Sequence, residues 1–421
     1  MSCENFHESE AKRLSRRALL VGGLSGAVWW ASRKTALAQT TFGRNGNVVV
    51  VIFLRGGADG LNIVAPYAED DYYNLRPTLA IPAPGKGDGS LIKLDDTFGL
   101  NPDLQALFPL FDAGDLAIVH AVGSGDSTRS HFEAMSAMER GAADEKGSEV
   151  GGWLARHLRS TPGREGPLRA LALTHTMPES LRGAMQAVAI ESLDRFRLGV
   201  PDDDRQRAEA ALTAIYANGT DSISDAGRQT LDVLKTLNSF DPEAEVPENG
   251  AEYPDTPLGR ALKQVAFLVR KEVGLEVACL DAADRGGWDT HFVQTARLTA
   301  LLQDLGGSLA AFHEDLGSEM RRVTVVVQTE FGRRAGENSS YGTEHGRASV
   351  LFAMGGGVQG GRVVADWPGL RPDQLTGPGD LQVTTDYRDV LAEMLANRLG
   401  NRNIDEVFPG HRPKPVGVFS A

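Results

Sequence analysis

Six near-continuous apolar runs of strand length are the feature that most limits what this sequence can fold into. A strand with one exposed face alternates apolar and polar residues, whereas a strand covered by helices on both faces is apolar throughout. The runs therefore predict a mainly parallel sheet that is buried between helices. They are Asn47–Leu54, Leu116–Val122, Leu168–Thr174, Gly274–Leu280, Val323–Gln328 and Ser349–Met354.

The stretches between these runs carry apolar residues three and four positions apart, which is typical of helices that cover a sheet. Strands alternating with helices predict a three-layer α/β/α fold. Residues 179–253 differ in composition, being rich in Asp, Glu, Arg, Ala and Ser, and we interpret them as a helical insertion within a domain spanning residues 39–421. The predicted helices of the layers are His131–Arg140, Pro257–Lys271, Thr290–Leu316 and Asp386–Leu399.

The first 38 residues have the pattern of an export signal. Arg16 and Arg17 precede an apolar run that closes on Ala36-Leu37-Ala38, a small-x-small cleavage pattern. This resembles a twin-arginine signal, which the export machinery reads as an address. The alternative is an uncleaved anchor with Trp29-Trp30 at a membrane interface. Because the run is shorter than the roughly 20 residues of a spanning helix, we expect a mature chain without a stable membrane span, periplasmic or extracellular in a bacterium.

The net charge disfavours polyanionic partners, and the cysteine content excludes an internal disulfide bond in the mature chain. The whole chain carries a formal charge of −13 and residues 1–38 carry about +3, so the remainder is close to −16. Such an acidic surface disfavours nucleic acid and anionic membranes as partners. Cys279 is the only cysteine beyond the signal, so it has no partner for an internal disulfide.

Carboxylates and imidazoles follow several of the apolar runs. In open parallel sheets, ligands bind beyond the carboxyl ends of the strands, so we expect these side chains to meet at one edge. Their chemistry is typical of Zn, Mn or Fe sites with an open position, and a hydrogen-bonded cluster without metal is the alternative. The candidate metal ligands are Asp59, Asp289, His291, Glu330 and His345.

The segment after the second run holds candidate nucleophiles. Hydroxyl groups lie just before and at the predicted start of the helix at His131, where they are ordinary caps or nucleophiles favoured by the free amides. Flanking polar groups suit an anionic substrate, although we expect Arg333 to form surface ion pairs. The candidate catalytic residues are Ser127, Thr128, Ser130 and His131, and the candidate substrate-binding residues are Arg129, Asn62 and Arg347.

An ordered series of motifs resembles a known family, the bacterial domain-of-unknown-function family 1501, over residues 45–410. That family is similar to the alkaline phosphatase and sulfatase superfamily, whose members use two divalent metals and a Ser, Thr or modified Cys nucleophile. The motifs are FLRGGADGLNIVAPY, YYNLRPTLAI, HAVGSGDSTRSHFEAM, GWDTHFVQ, TEFGR, GTEHGRASVLFAMGGGVQGG and DYRDVLAEML.

The resemblance implies roles for particular residues. Asp59 matches the metal-binding Asp after the first strand, and Ser127 with His131 matches the superfamily's phosphoglycerate mutases, although Thr128 and Ser130 remain alternatives. His345 matches a later ligand. Phe331, however, stands where the superfamily has a His, and Glu330 where it has an Asp. A single metal, an oxygen-rich site or no metal therefore remain alternatives to two zinc ions, with Zn, Mn or Ca as the candidate ions.

The resemblance implies metal-assisted hydrolysis of a small anionic ester, a phosphate or a sulfate. The alternative is a secreted binding or assembly protein that keeps the fold without turnover, with Phe331 as a sign of lost activity. A serine hydrolase with a nucleophile elbow is disfavoured, because no G-x-S-x-G motif follows a strand of the mature chain.

Overall fold

The computed structural model describes residues 46–147, 149–162, 168–185, 187–193, 195–240, 246–282 and 287–420. The signal predicted at residues 1–38 lies outside this part of the chain. The described residues divide into a large unit and a small unit within residues 196–240.

The strands of the large unit follow the apolar runs closely, because those runs bury the most apolar surface when both faces are covered. Among the described residues, one sheet has nine strands, in the order β13-β5-β12-β9-β1-β8-β6-β7, with β14 also paired to β5. The strands are β1 Val48–Phe53, β2 Val64–Ala65, β3 Ile92–Lys93, β4 Gly99–Leu100, β5 Leu116–Gly123, β6 Ala170–Leu173, β7 Ala187–Ala189, β8 Val277–Asp281, β9 Val323–Gln328, β10 Arg333–Glu337, β11 Thr343–His345, β12 Ser349–Gly355, β13 Arg362–Val364 and β14 Thr385–Asp386.

The sheet is mainly parallel, as predicted, with β12 as its exception. β1 pairs in parallel with β8 and β9, whereas β12 is antiparallel to β5 and β9. The residues that precede β12 therefore lie at the edge where the parallel strands end. This is why His345, which precedes β12, lies at the same edge as residues that follow the parallel strands.

Helices flank the sheet, so the α/β fold class is confirmed. On one face, Val49 and Val51 share a buried cluster with Trp153 and Tyr387 from two helices. The helices are α1 Gly60–Ile63, α2 Asp70–Leu75, α3 Phe108–Asp112, α4 His131–Arg140, α5 Trp153–Ser160, α6 Asp202–Tyr216, α7 Ser222–Asn238, α8 Pro257–Arg270, α9 Gln294–Leu316, α10 Tyr387–Arg398 and α11 Ile404–Val407, with 3₁₀ turns at Pro102–Leu107, Glu179–Leu181 and Gly317–Arg322. Within the described chain, no helix combines the length and the apolar character needed to cross a membrane.

The small unit consists of α6 and α7, which pack through Leu231 and Leu234. The helical part is shorter than the predicted insertion of residues 179–253, because Ala187–Ala189 forms β7 of the large sheet. A strand of three residues is too short to show a periodicity in the sequence, which is why composition alone misplaced it.

Candidate metal centre

Four side chains converge at the carboxyl edge of the sheet. Asp289 lies on the loop after β8, and its Oδ1 is 3.0 Å from His291 Nε2, 3.2 Å from His345 Nε2 and 3.4 Å from His131 Nε2. The Nε2 atoms of His291 and His345 are 2.9 Å apart. Ligand atoms of His131, Asp289 and His345 all lie within 4.8 Å of one another. The structure thus assembles three imidazoles around one carboxylate.

The other ring nitrogen of each histidine faces an acceptor. His131 Nδ1 is 2.7 Å from Glu330 Oε1, and His291 Nδ1 is 3.0 Å from Glu344 Oε2. His345 Nδ1 is 2.8 Å from the carbonyl oxygen of Arg129. Because acceptors only receive hydrogen bonds, these contacts assign a proton to each Nδ1, so that each imidazole in its neutral form presents the Nε2 lone pair to the centre. Glu330, predicted as a metal ligand, therefore contacts the Nδ1 atom of His131 on the side away from the centre.

This donor set fits a divalent metal ion. Two Nε2 atoms 2.9 Å apart require either a proton shared in a hydrogen bond or a metal cation between them, because two facing lone pairs repel each other. His131 Nε2 is buried and has no hydrogen-bond partner, since 3.4 Å is too long for a good bond to Asp289. Ligands about 2.0–2.1 Å from a tetrahedral Zn²⁺ lie roughly 3.3–3.4 Å apart, close to the separations seen here. Metal-ligating histidines usually donate their second ring N–H to a carboxylate or a carbonyl, and all three histidines here face such an acceptor.

The charges of the centre depend strongly on one another. Burial alone would lower the pKa of His131, but Asp289 and Glu330 together raise it to about 9. Burial would raise the pKa of Asp289, yet the nearby imidazole of His131, at 3.4 Å, and the hydrogen bonds from His345 and Arg333 hold it far below its ordinary value. Asp289 is therefore a permanent anion beside three imidazoles, as a ligand for a cation should be.

Arg333 fastens the loops of the centre together, and the prediction that it forms surface ion pairs was wrong. Its side chain is fully buried. Its Nη2 donates to Asp289 Oδ1 at 2.6 Å and to the carbonyl of Trp288 at 3.1 Å, while Nε donates to the carbonyl of Gly57 at 2.6 Å. The neighbouring Arg334 suggested a solvent-facing pair, whereas only the folded arrangement surrounds Arg333 with carbonyls from several loops.

Phe331 forms an apolar wall of the centre. Its ring stacks on His131 with 4.8 Å between the centroids and lies 5.1 Å from the ring of His345. Gly57 makes room for it, since a Cβ at this position would lie 2.6 Å from the Phe331 ring. Phe331, at the position where the sequence resemblance implied a His, thus supports two imidazoles by packing.

Asp59 does not reach the centre, contrary to the expectation from its loop. It is fully buried and forms a two-pronged ion pair with Arg76, with Nη1–Oδ2 at 2.6 Å and Nη2–Oδ1 at 2.9 Å. Gln294 Nε2 donates to it as well. Asn62, expected to face outward, is also buried and its Oδ1 accepts from Asn101 Nδ2 at 2.9 Å. Arg76 and Asn101 satisfy these groups internally, and neither partner can be identified from the local motif.

The predicted nucleophile segment lies beside the centre with its hydroxyls in different situations. Thr128 Oγ1 donates to Asp126 Oδ1 at 2.7 Å and accepts from the Ser130 amide at 3.2 Å, so it is occupied. Ser127 is exposed. Ser130 precedes α4 and its side chain makes no capping hydrogen bond.

The two arginines predicted to bind substrate have internal partners. Arg129 Nε is 3.1 Å from the buried Asp380 Oδ2. Its backbone has a left-handed φ of 57°, and its carbonyl oxygen contacts His345 Nδ1. Arg347 Nη2 donates to the Gly125 carbonyl at 3.2 Å. Arg129 therefore holds His345 in place through its backbone carbonyl.

Two supporting residues had no signal in the sequence reasoning. Asn338 Nδ2 donates to the His291 carbonyl at 2.9 Å and to Glu344 Oε1 at 2.7 Å. The hydrogen bond from Asn338, followed by the charge of His291, lowers the pKa of Glu344. The adjacency of Glu344 to His345 was the one available clue.

The sequence is similar to one known protein family. The model of the family described as "Protein of unknown function (DUF1501)" matches residues 47–408. No curated protein matches the sequence.

Several solved structures have similar folds. The complex of Ps i-CgsB with k-i-k-neocarrahexaose is 12% identical, with 85% of this chain and 73% of that chain covered and a TM-score of 0.38. The PsFucS1 sulfatase from Pseudoalteromonas sp. is 10% identical, with 76% and 64% covered and a TM-score of 0.35. A TAB5 alkaline phosphatase mutant with Mg bound in its M3 site is 11% identical, with 74% and 92% covered and a TM-score of 0.34. Likenesses this distant carry no information about individual site residues.

Proposed function

This chain belongs to the DUF1501 family, and we propose that it is an exported, metal-dependent hydrolase of a phosphate or sulfate ester. The proposal depends on one observation above all. Three imidazole Nε2 atoms converge on Asp289 Oδ1, and each opposite nitrogen faces an acceptor. Partly exposed histidines arranged in this way are suited to ligate a metal that a substrate can also reach.

The donor chemistry favours Zn, Mn or Fe over Ca. Three nitrogens and one carboxylate would hold the ion in His131, Asp289, His291 and His345. Ca²⁺ prefers six to eight oxygen ligands, whereas imidazole suits transition metals. A bound divalent ion would supply Lewis acidity, lowering the pKa of an attacking hydroxyl or water and stabilising the leaving oxygen.

Among the candidate hydroxyls, Ser130 has the best position to attack. It lies between Arg129, whose carbonyl contacts His345, and the ligand His131, and its side chain is not used as a helix cap. The free amides at the start of α4 favour developing negative charge there. Glu330 is fully buried and fixes His131 through Nδ1, so the imidazole keeps its orientation while substrate exchanges.

A non-catalytic, metal-binding secreted protein is the second candidate. One observation favours it: among the hydrogen bonds of the described residues, none connects a side-chain hydroxyl of Ser127, Thr128 or Ser130 to the four ligands. The presence of metal together with the absence of turnover would identify this alternative.

The first test compares metal content with turnover. We expect near-stoichiometric Zn, Mn or Fe in the purified protein by elemental analysis, and its loss in His345→Ala, because one of four ligands is removed. His175→Ala is the matched control, since this imidazole is 76% exposed and should leave the metal content unchanged. Hydrolysis of 4-nitrophenyl phosphate or 4-nitrophenyl sulfate should then depend on the same residues.

The outcomes separate the candidates. Metal-free protein from its native export route, with no metal uptake on titration, would refute the metal centre. Bound metal that is lost in His345→Ala, without hydrolysis of either ester class, would favour the binding protein.

A further inference from the structure

Large apolar side chains are exposed beside the candidate metal centre. Phe132 follows His131 and is 84% exposed, while Phe292 and Val293 follow His291 and are each 57% exposed. Tyr341, on the loop that leads to His345, is 62% exposed. Single exposed apolar residues are normal, but a group of them around one site marks a binding surface.

Two of the loops concerned form one surface. Val293 N donates to the Ser340 carbonyl at 3.1 Å, and Gln294 N donates to the Tyr341 carbonyl at 2.8 Å. We call Phe292, Val293 and Tyr341 the apolar ridge. Because backbone hydrogen bonds join its two segments, the ridge is a continuous feature next to the ligand His291.

The ring of Phe292 contacts an arginine that is also hydrogen-bonded to the loop of the metal centre. Arg297 Cζ is 5.5 Å from the ring centroid of Phe292, which is within the range of a cation–π contact. The same guanidinium donates through Nη1 to the carbonyl of Asp289 at 3.2 Å. Arg297 therefore connects the apolar ridge with the backbone of the central carboxylate residue.

The backbone holds the ridge in an unfavourable conformation. Val293 has a φ of 46° and Tyr341 a φ of 57°, both in the left-handed region that disfavours side chains with a Cβ, above all a β-branched one. Asn338 maintains the second loop by accepting from the Ser340 and Gly342 amides with Oδ1. Such strain persists where the surrounding structure imposes it, and it concentrates at ligand-binding sites.

We propose that the apolar ridge binds the alcohol part of the substrate, and that this alcohol carries a flat ring. The inference rests on the proposed function, since the anionic ester group would lie at the metal centre. Exposed aromatic rings stack on planar groups, and the apolar face of a sugar ring offers the same kind of surface. The flat ring is therefore that of an aryl alcohol. A sugar, whose puckered ring offers only an apolar face, is the second source and an alternative outcome of the test.

The test measures ligand binding to the metal-loaded full-length protein by calorimetry, using ligands that cannot be hydrolysed. The probes are the pairs phenylphosphonate with methylphosphonate and benzenesulfonate with methanesulfonate, while the non-hydrolysable methylenephosphonate analogue of glucose 1-phosphate, compared with methylphosphonate, represents the sugar. We expect a ring-bearing ligand to bind roughly tenfold more tightly than its methyl counterpart, the size of one good aromatic contact. An aryl preference or a glucose preference would then distinguish the two sources.

The variants Phe292→Ala and Tyr341→Gly should each remove most of that preference without weakening the methyl ligand. Tyr341→Gly also relieves the positive φ, so its effect does not arise from failed folding. Val246→Ala is the control, because Val246 is an exposed apolar residue (77%) away from the ridge. The neighbouring Glu248 donates its backbone N–H to Asp315 at the C-terminal end of α9, whereas the ridge is at the N-terminal end.

Equal affinity for ring and methyl ligands, or no binding of any of them, would overturn the apolar ridge as a substrate surface. Equal affinities with ester turnover would leave the proposed function standing. Preferential ring binding without turnover of any ester would refute the hydrolase and retain the ridge.

Discussion

Asp59 and Asp289 both follow a strand of the sheet, but they differ in their burial and in their hydrogen-bond partners. Each lies on a glycine-rich loop after one of two neighbouring parallel strands, β1 and β8, and each faces an arginine. Asp59 is fully buried and both its oxygens are used by Arg76 and Gln294. Asp289 is 32% exposed in its side chain and presents one oxygen to three imidazoles.

The difference lies in which atoms are left without a partner. At Asp59 the charge is neutralised inside the protein, so nothing remains to bind a ligand. A histidine elsewhere behaves in the same way: His157 has Glu276 at one ring nitrogen and Asn401 at the other. His131, in contrast, has Glu330 at Nδ1 and no hydrogen-bond partner at its buried Nε2. A buried polar atom without a hydrogen-bond partner, at the carboxyl edge of the sheet, distinguishes the candidate metal centre from the structural clusters around Asp59 and His157.

The largest expected effect comes from breaking the buried ion pair of Asp59 and Arg76. Asp59→Ala should destabilise the protein by about 3–5 kcal/mol, because it leaves the guanidinium of Arg76 buried without its counter-charge. Urea unfolding measures the change, and Asp96→Ala, which removes a surface partner of Lys93, should have no such effect. The double variant Asp59→Ala with Arg76→Met should recover part of the loss. A stable Asp59→Ala protein that lacks metal would instead make Asp59 a ligand.

A smaller effect is expected from a residue that supports a ligand. Glu344→Ala should weaken metal binding by about 10–100-fold, because His291 loses the acceptor that fixes its Nδ1 proton. Competitive chelator titration gives the affinity. Glu319→Ala is the matched control, since the side chains of Glu344 and Glu319 are both 43% exposed. Unchanged affinity in Glu344→Ala would show that the carboxylate does not orient His291.

The most gradual effect should appear in the pH dependence of the metal-free protein. Asp289 and Glu330 raise the pKa of His131 to about 9 against the opposing effect of burial, above the unfolded value near 6.5. The stabilisation from its proton is complete below about pH 6.5 and is lost as the pH rises through about 9, with a slope of at most about 1.4 kcal/mol per pH unit.

Urea unfolding in chelator between pH 6 and 10 measures this slope. His131→Phe should flatten it and His175→Ala should not. The same slope in His131→Phe and in the unmodified protein would assign the titration to another group.

Much of the fold followed from local patterns, and less of the site did. The apolar runs predicted the strands because burial on both faces is written into each run, and the three-residue β7 was missed because it has no such run. Asp289, His291 and His345 meet as the strand ends suggested. His131, expected to act in catalysis, lies among them as a metal-binding candidate, while Glu330 stands behind it.

The sequence by itself determined the strands, the mainly parallel sheet and the set of polar residues at its carboxyl edge, because these depend on the order and spacing of residues along the chain. Only the tertiary structure decided which of those residues are available to a ligand. That depends on partners distant in sequence, such as Arg76 for Asp59 and Arg333 for Asp289, and hydrogen bonds and charges act over a few ångströms in space, whatever the separation along the chain.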